Sequence, residues 1–254
     1  MVNMSILPLT ALFVASTTAL PFSIAQRQSI SGDQVGYAGS GMFRSELPAP
    51  STTGASNPTT TYTHYTGDGS VAAGWPSQTD WIDYDIMWIQ NKAAFIDQQP
   101  NTPSDNDNLH DAIISISTQY NIDKRLILAI VIQESHGNVR VETTQFPQGS
   151  NPGLMQSHDG KGSCAGLATC PKDMIDMMIE EGSATGSDGI NLKDLIDGCA
   201  AEDVSKYYIA ARKYNSGVNS IGPDGDLLAP GATASYAVDI ANRLVGYVGG
   251  QGGQ

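Results

Sequence analysis

Glu134 ends a greasy stretch, separated by Gln133 alone from the seven apolar residues that run from Leu126 to Ile132. On a helix, Ile127, Ile130, Val131 and Glu134 take the i, i+3, i+4 and i+7 positions of one face. A carboxylate that continues an apolar stripe is desolvated, and at a C-terminal turn it also meets the negative end of the helix dipole. Both effects favour the protonated acid. Such an acid can deliver a proton to a leaving oxygen, which is what breaking a glycosidic bond requires. The plain alternative is a frayed helix end whose carboxylate reaches solvent or an arginine. Two further stretches bear on the choice. Gly153-Leu154-Met155-Gln156 joins a glycine, which lets a backbone approach closely, to an amide that both donates and accepts. Tyr214-Asn215-Ser216-Gly217 offers a phenol able to polarise a carboxyl group. Each has a bland counterpart: Leu154 and Met155 as core, Ser135 as a cap, and Asn215 to Gly217 as a helix terminus.

In this order, Glu134-Ser135, GLMQ and YNSG resemble the lytic transglycosylase and goose-type lysozyme group, family 23 of the glycoside hydrolases. The segments GDGS, GWPS, NPGLMQSHDGKGSC and DIANRL also look like its secreted fungal members, so the resemblance covers residues 65–248. The resemblance implies that Glu134 is the catalytic acid and later the base, with Ser135 helping to position substrate. It implies that Gly153, Leu154, Met155 and Gln156 form the cleft floor, the Gln156 amide bonding an N-acetyl group. Tyr214 would bring its hydroxyl to the carboxylate, and Asn215 would line the same cleft. Many glycosidases use a second carboxylate. Goose-type lysozymes resemble GLMQ followed by an aspartate two residues after the glutamine; here His158 takes that place and Asp159 comes one residue late. Asp159 is therefore the candidate second acid, while a transglycosylase needs only Glu134. The expected activity is cleavage of the β-1,4 bond between N-acetylmuramic acid and N-acetylglucosamine in peptidoglycan. Hydrolysis by a lysozyme or chitinase, and a glycan-binding protein without turnover, are the alternatives.

Helices must position these residues. Asp80 can cap a helix carrying Trp81, Tyr84, Trp88 and Phe95, an aromatic stripe that reads as docking on the core. Leu109, Ala112, Ile113, Ile116 and Tyr120 mark a second helix, and Asp123 caps a third from Lys124 to Ser135, stopped at Gly137. Pro171 opens a fourth at its first position, closed by Gly182, followed by NLKDLID. Helices over 204–214 and 234–248 complete the set. No long run alternates, so the expected class is mainly α, a lysozyme-like helical domain over 75–248 with a small β element within 139–153.

The ends read differently. Residues 1–25 carry no charged side chain, an apolar stretch and small-residue cleavage patterns, as a secretory signal peptide does. The stretch is too short and too rich in Ser and Thr to serve as a membrane anchor. Residues 26–74, rich in Gly, Ser, Thr and Pro, read as a disordered linker, and 249–254 as a flexible tail. The expected product is a secreted, extracellular monomer acting on a polysaccharide, peptidoglycan or chitin. Three cysteines, Cys164, Cys170 and Cys199, allow one disulfide and leave its pairing open. A net charge of −13 argues against nucleic acid or an anionic membrane as partner. His136 and His158 lack a third ligand motif, and Asp159-Gly160-Lys161-Gly162 lacks the EF-hand series, so neither metal nor cofactor is expected.

Overall fold

In the computed structural model, residues 54–228 and 232–250 are described. The expected signal peptide, residues 26–53 of the expected linker and residues 251–254 of the tail lie outside the described residues. Seven α-helices and one small antiparallel hairpin make up the described chain, which is mainly α with a small β element. They are α1 (Tyr84–Ala94), α2 (Pro103–Tyr120), α3 (Lys124–Ser135), β1 (Thr144–Phe146), β2 (Gly149–Asn151), α4 (Lys172–Glu180), α5 (Leu192–Asp197), α6 (Ser205–Ser216) and α7 (Tyr236–Leu244).

Helix α3 is the axle of the fold. Ten of its twelve residues are buried, and Leu126 through Ile132 are wholly inaccessible. A helix apolar on all sides belongs in the centre, and α1, α2 and α7 pack around it. Burial of each of its Leu, Ile and Val side chains stabilises the fold by roughly 1.5–3 kcal/mol. Asp123 caps the helix, accepting from the Arg125 backbone N–H at 3.0 Å. The buried Arg125 guanidinium answers with Nη2 at 2.6 Å and Nε at 3.0 Å from the same carboxylate. Two successive left-handed residues, His136 (φ 53°) and Gly137 (φ 74°), end it. A Cβ on Gly137 would lie 2.7 Å from Ile96 Cγ1, so only glycine lets the helix end press against that side chain.

Several expected boundaries move. Asp80 does not cap α1: its Oδ2 accepts from the Ser77 N–H and hydroxyl at 2.9 and 2.7 Å, closing a separate turn, and Asp83 caps instead. Trp81 thus precedes the helix, fully buried, its indole donating to Tyr208 Oη at 2.9 Å. Pro171 is the cap of α4 rather than its first residue, and the chain runs on past Gly182 through a π-helical turn, Glu181–Thr185. Helix α7 is shorter than expected at both ends. The disulfide joins Cys164 to Cys170, and Cys199 keeps its thiol.

The largest correction concerns residues 54–74, expected as disordered linker. They form a strap over the helical body. Ala55 bridges to Ile82, and the Thr59 N–H donates to Val245 O at 3.0 Å. Thr63 exchanges two bonds with the buried Asn242 side chain, both 2.8 Å. Farther along, the Gly67 N–H donates to Asp226 Oδ1 at 3.1 Å, and the Trp75 indole donates to Thr66 O at 2.8 Å. The polar composition is real, but the partners that order this segment, among them the buried Asn242 of α7, lie far away in sequence, and composition does not reveal them.

Candidate active site

Glu134 lies on the last turn of α3 and is half-buried. Its Oε1 accepts a 2.6 Å hydrogen bond from the Tyr236 hydroxyl. Tyr236 opens α7 and is 2% exposed, so the phenol reaches the carboxyl group from inside the fold. Seven residues on, Arg243 donates from Nε to Gln133 Oε1 at 2.8 Å. Between them Asp239 accepts from the Tyr62 hydroxyl at 2.6 Å, the Ser235 hydroxyl at 3.0 Å and Gln133 Nε2 at 3.4 Å. Tyr236, Asp239 and Arg243 follow an i, i+3, i+7 spacing, which aims one polar stripe of α7 at the end of α3. Burial pushes the Arg243 guanidinium down to about 10, against the opposing pull of Asp239, so it remains a cation at neutral pH. Burial, the bond to Asp239 and that carboxylate's charge all drive the Tyr62 phenol well above its ordinary value, which keeps it a donor.

The GLMQ turn is built by close approach. Gly153 adopts φ +73°, and a Cβ there would stand 2.5 Å from Gly162 O and 2.6 Å from Met178 Cγ. Leu154 and Met155 are fully buried core residues. The Tyr214 hydroxyl donates to Met155 O at 2.8 Å, and Gly182 leaves room for that contact, since a Cβ there would lie 2.9 Å from the hydroxyl. A phenol that donates to Glu134 comes from Tyr236, and Tyr214 ties α6 to the GLMQ backbone. Gln156, left-handed at φ 46° and 2% exposed, turns its amide inward. Its Nε2 donates to Gly153 O at 3.0 Å and Glu142 O at 3.3 Å, and its Oε1 accepts from the Thr144 hydroxyl at 2.7 Å. These bonds fasten β1 to the turn, where the resemblance implied an amide presented to an N-acetyl group.

The remaining expected residues also have structural partners. Ser135 donates from Oγ to Val131 O at 2.9 Å and accepts from the Gly137 N–H at 3.2 Å, which closes the helix end. Asn215 Oδ1 accepts from the Thr233 N–H at 3.1 Å, holding the approach to α7 and hence Tyr236. A relay thus joins the three motifs: Tyr214 to Met155, Asn215 to Thr233, and Tyr236 to Glu134. Asp159 belongs to the hairpin. Its Oδ1 accepts from the Ser150 N–H at 3.0 Å, and its own N–H donates to Ser150 O at 2.8 Å.

Sequence reasoning missed Tyr236, Gln133, Asp239, Arg243 and Tyr62. The signal lay in SYAVDIANRL, where tyrosine, aspartate and arginine recur on the face that otherwise carries Ile240. Among the described residues no group of three or more His, Cys, Asp or Glu is arranged to hold a metal ion, and no helix is long and apolar enough to cross a membrane. The site is a half-buried carboxyl group backed by a buried phenol and a buried ionic network, an arrangement suited to proton transfer at one carboxyl. No protein family, curated protein or solved structure matches the chain.

Proposed function

We propose that this protein is a secreted, lysozyme-like glycosidase that cleaves the β-1,4 bond between N-acetylmuramic acid and N-acetylglucosamine as a lytic transglycosylase, with Glu134 as its acid and base. The observation that carries the reading is the Tyr236–Glu134 contact of 2.6 Å at the end of a buried helix. A proton passes from Glu134 to the glycosidic oxygen as the bond to C1 breaks. The substrate's N-acetyl oxygen stabilises the positive charge that develops there. Glu134, now a carboxylate, removes the proton of the 6-hydroxyl as that oxygen closes on C1, giving a 1,6-anhydro end and restoring the acid. One carboxyl group suffices for both steps. The anchoring of Asp159 in the hairpin supports this single-acid scheme over a two-carboxylate one. The disulfide is compatible with an oxidising compartment outside the cell.

The net charge of −13 favours a second substrate reading. Long-range attraction to an anionic wall is absent, so chitin, a neutral polymer with the same N-acetyl group, is the alternative, cut with water in place of the 6-hydroxyl. The test incubates wild type and Glu134→Gln with peptidoglycan and with chitin in parallel. Wild type is expected to release fragments, and Glu134→Gln to lose about 10²- to 10⁴-fold in rate. An anhydro end is lighter than a hydrolysed one by one water, so product mass separates the two routes. Equal release by both proteins would sink the assignment of Glu134. Binding without release by either would instead favour a glycan-binding protein.

A further inference from the structure

Two residues beyond Glu134, the chain builds a three-layer stack that the proton-transfer chemistry does not use. The Arg243 guanidinium carbon lies 5.4 Å from the centre of the Phe95 ring, and Phe95 in turn stacks on His136, with centroids 5.1 Å apart and planes 8° from parallel. The order runs from core to solvent: Arg243 is 2% exposed, Phe95 half-buried and His136 exposed. Each layer has its own anchor. Arg243 is fixed by its bond to Gln133, the neighbour of Glu134. Phe95 caps the end of α1. His136 is fixed by the end of α3, where Gly137 admits Ile96 against the helix.

The backbone at His136 adds an independent observation. It is left-handed, at φ 53°, in a helix-ending position where glycine or asparagine is the usual occupant. A non-glycine residue held there is uncommon, and it places a flat ring at the surface two residues after the acid. Strained positions of this kind gather at ligand sites. On α7, Tyr236, which holds Glu134, and Arg243, which underlies the stack, are two turns apart, or ~10 Å along the helix axis. The stack therefore stands beside the cleavage point rather than on it.

We propose that the solvent-side face of His136, backed by Phe95 and Arg243, is a platform on which a sugar unit of an N-acetylated glycan packs its C–H face, one step along the chain from the bond that Glu134 cleaves. The choice of an N-acetylated glycan rests on the glycosidase reading above. An aromatic face presents negative charge density to the polarised C–H bonds of a sugar ring, and a rigid backed ring loses little freedom on binding. Partial desolvation of the imidazole, joined by the charge of Arg243, shifts His136 below the ordinary histidine range and so favours the neutral ring, as packing against C–H bonds prefers.

The test measures binding of the N-acetylglucosamine tetrasaccharide to the full chain by calorimetry, in a Glu134→Gln background that prevents turnover. His136→Asn removes the flat ring yet keeps a residue that tolerates the left-handed backbone, and thermal melts confirm that it folds. The affinity should fall about tenfold, and His136→Phe should restore it. Unchanged affinity in His136→Asn overturns the platform, as does failure of the Glu134→Gln protein to bind the tetrasaccharide. The product assay with wild type separates the two ideas. Turnover together with indifference to His136→Asn sinks the platform alone. Weakened binding without any wild-type turnover leaves the platform standing and sinks the catalytic reading.

Discussion

A carboxyl group that accepts from a buried phenol is sensitive to that phenol. Removing the Tyr236 hydroxyl deletes a 2.6 Å bond to Glu134 while leaving the ring in the core. A hydrogen bond to an uncharged carboxyl group contributes roughly 0.5–1.5 kcal/mol. Tyr236→Phe is therefore expected to lower the rate of fragment release by about 2- to 10-fold, at about 1.4 kcal/mol per factor of ten, with little change in melting temperature. A rate equal to wild type would show that the contact does not serve the reaction. Tyr214→Phe is the instructive comparison. Its hydroxyl bonds the Met155 carbonyl, so its loss should appear first as lost stability. The two tyrosines also mark what a sequence can tell at this scale. Glu134 was legible because an acid at the end of an apolar run violates patterning, a signal contained within ten residues. Tyr236 was not, because its partner lies 102 positions away and nothing around a buried tyrosine distinguishes a hydroxyl that meets a carboxylate from one that meets a carbonyl.

At the level of elements, caps and close approaches set where the site residues end up. Gly153 combines a left-handed backbone with a Cβ position 2.5 Å from Gly162 O. Gly153→Ala thus incurs roughly 1–2 kcal/mol of backbone strain in addition to a collision with backbone that cannot rotate away. A loss of at least ~2 kcal/mol in denaturant unfolding is expected, and an unaffected midpoint would contradict the geometry. The start of α2 supplies a pH dependence. Thr102 and Asp105 form a capping box, and Arg140 reaches the same carboxylate at 2.8 Å, tying the loop after α3 to α2. Burial raises the Asp105 carboxyl, but the Thr102 N–H and hydroxyl and the Arg140 guanidinium outweigh it, and the net shift is downward. A carboxyl lower in the folded than in the unfolded chain adds stability above its unfolded value of about 3.9, lost as pH falls through the folded value. Arg140→Gln should weaken this contribution, so its melting temperature should drop less than wild type's between neutral pH and pH below about 4. Equal drops would remove Asp105 as a source of acid sensitivity. Most helices were legible through apolar periodicity, and α3 also through its Asp123 cap. The start of α1 was not, because Asp80 and Asp83 are both competent caps and only the turn closed by Ser77 decides between them.

For the molecule as a whole, the strap decides where the folding unit begins. Composition placed that boundary at Trp75, since 26–74 offers little apolar area to bury. Residues 54–74 nevertheless satisfy polar groups that the helical body has already buried. Asn242, wholly inaccessible, bonds Thr63 from both ends of its amide, and Asp239, 2% exposed, accepts a 2.6 Å bond from Tyr62. The strap also supplies Ala55 to the Trp81 carbonyl and the Asp83 N–H, each at 2.9 Å, and Thr66 to the Trp75 indole. A buried polar group stripped of its partner costs about 1–3 kcal/mol, so losing several together approaches the 5–15 kcal/mol that typically separates folded from unfolded domains. A chain beginning at Gly54 should therefore melt cooperatively near the full-length temperature. One beginning at Trp75 should melt at least ~10 °C lower or fail to accumulate as a folded protein. Because Asp239 and Gln133 share the network that adjoins Glu134, any Trp75 chain that does fold should also release fragments more slowly. Circular dichroism melts and the product assay on the two truncations decide the matter: matched melting temperatures would make the strap an accessory, whereas the expected loss makes it an integral part of the folding unit.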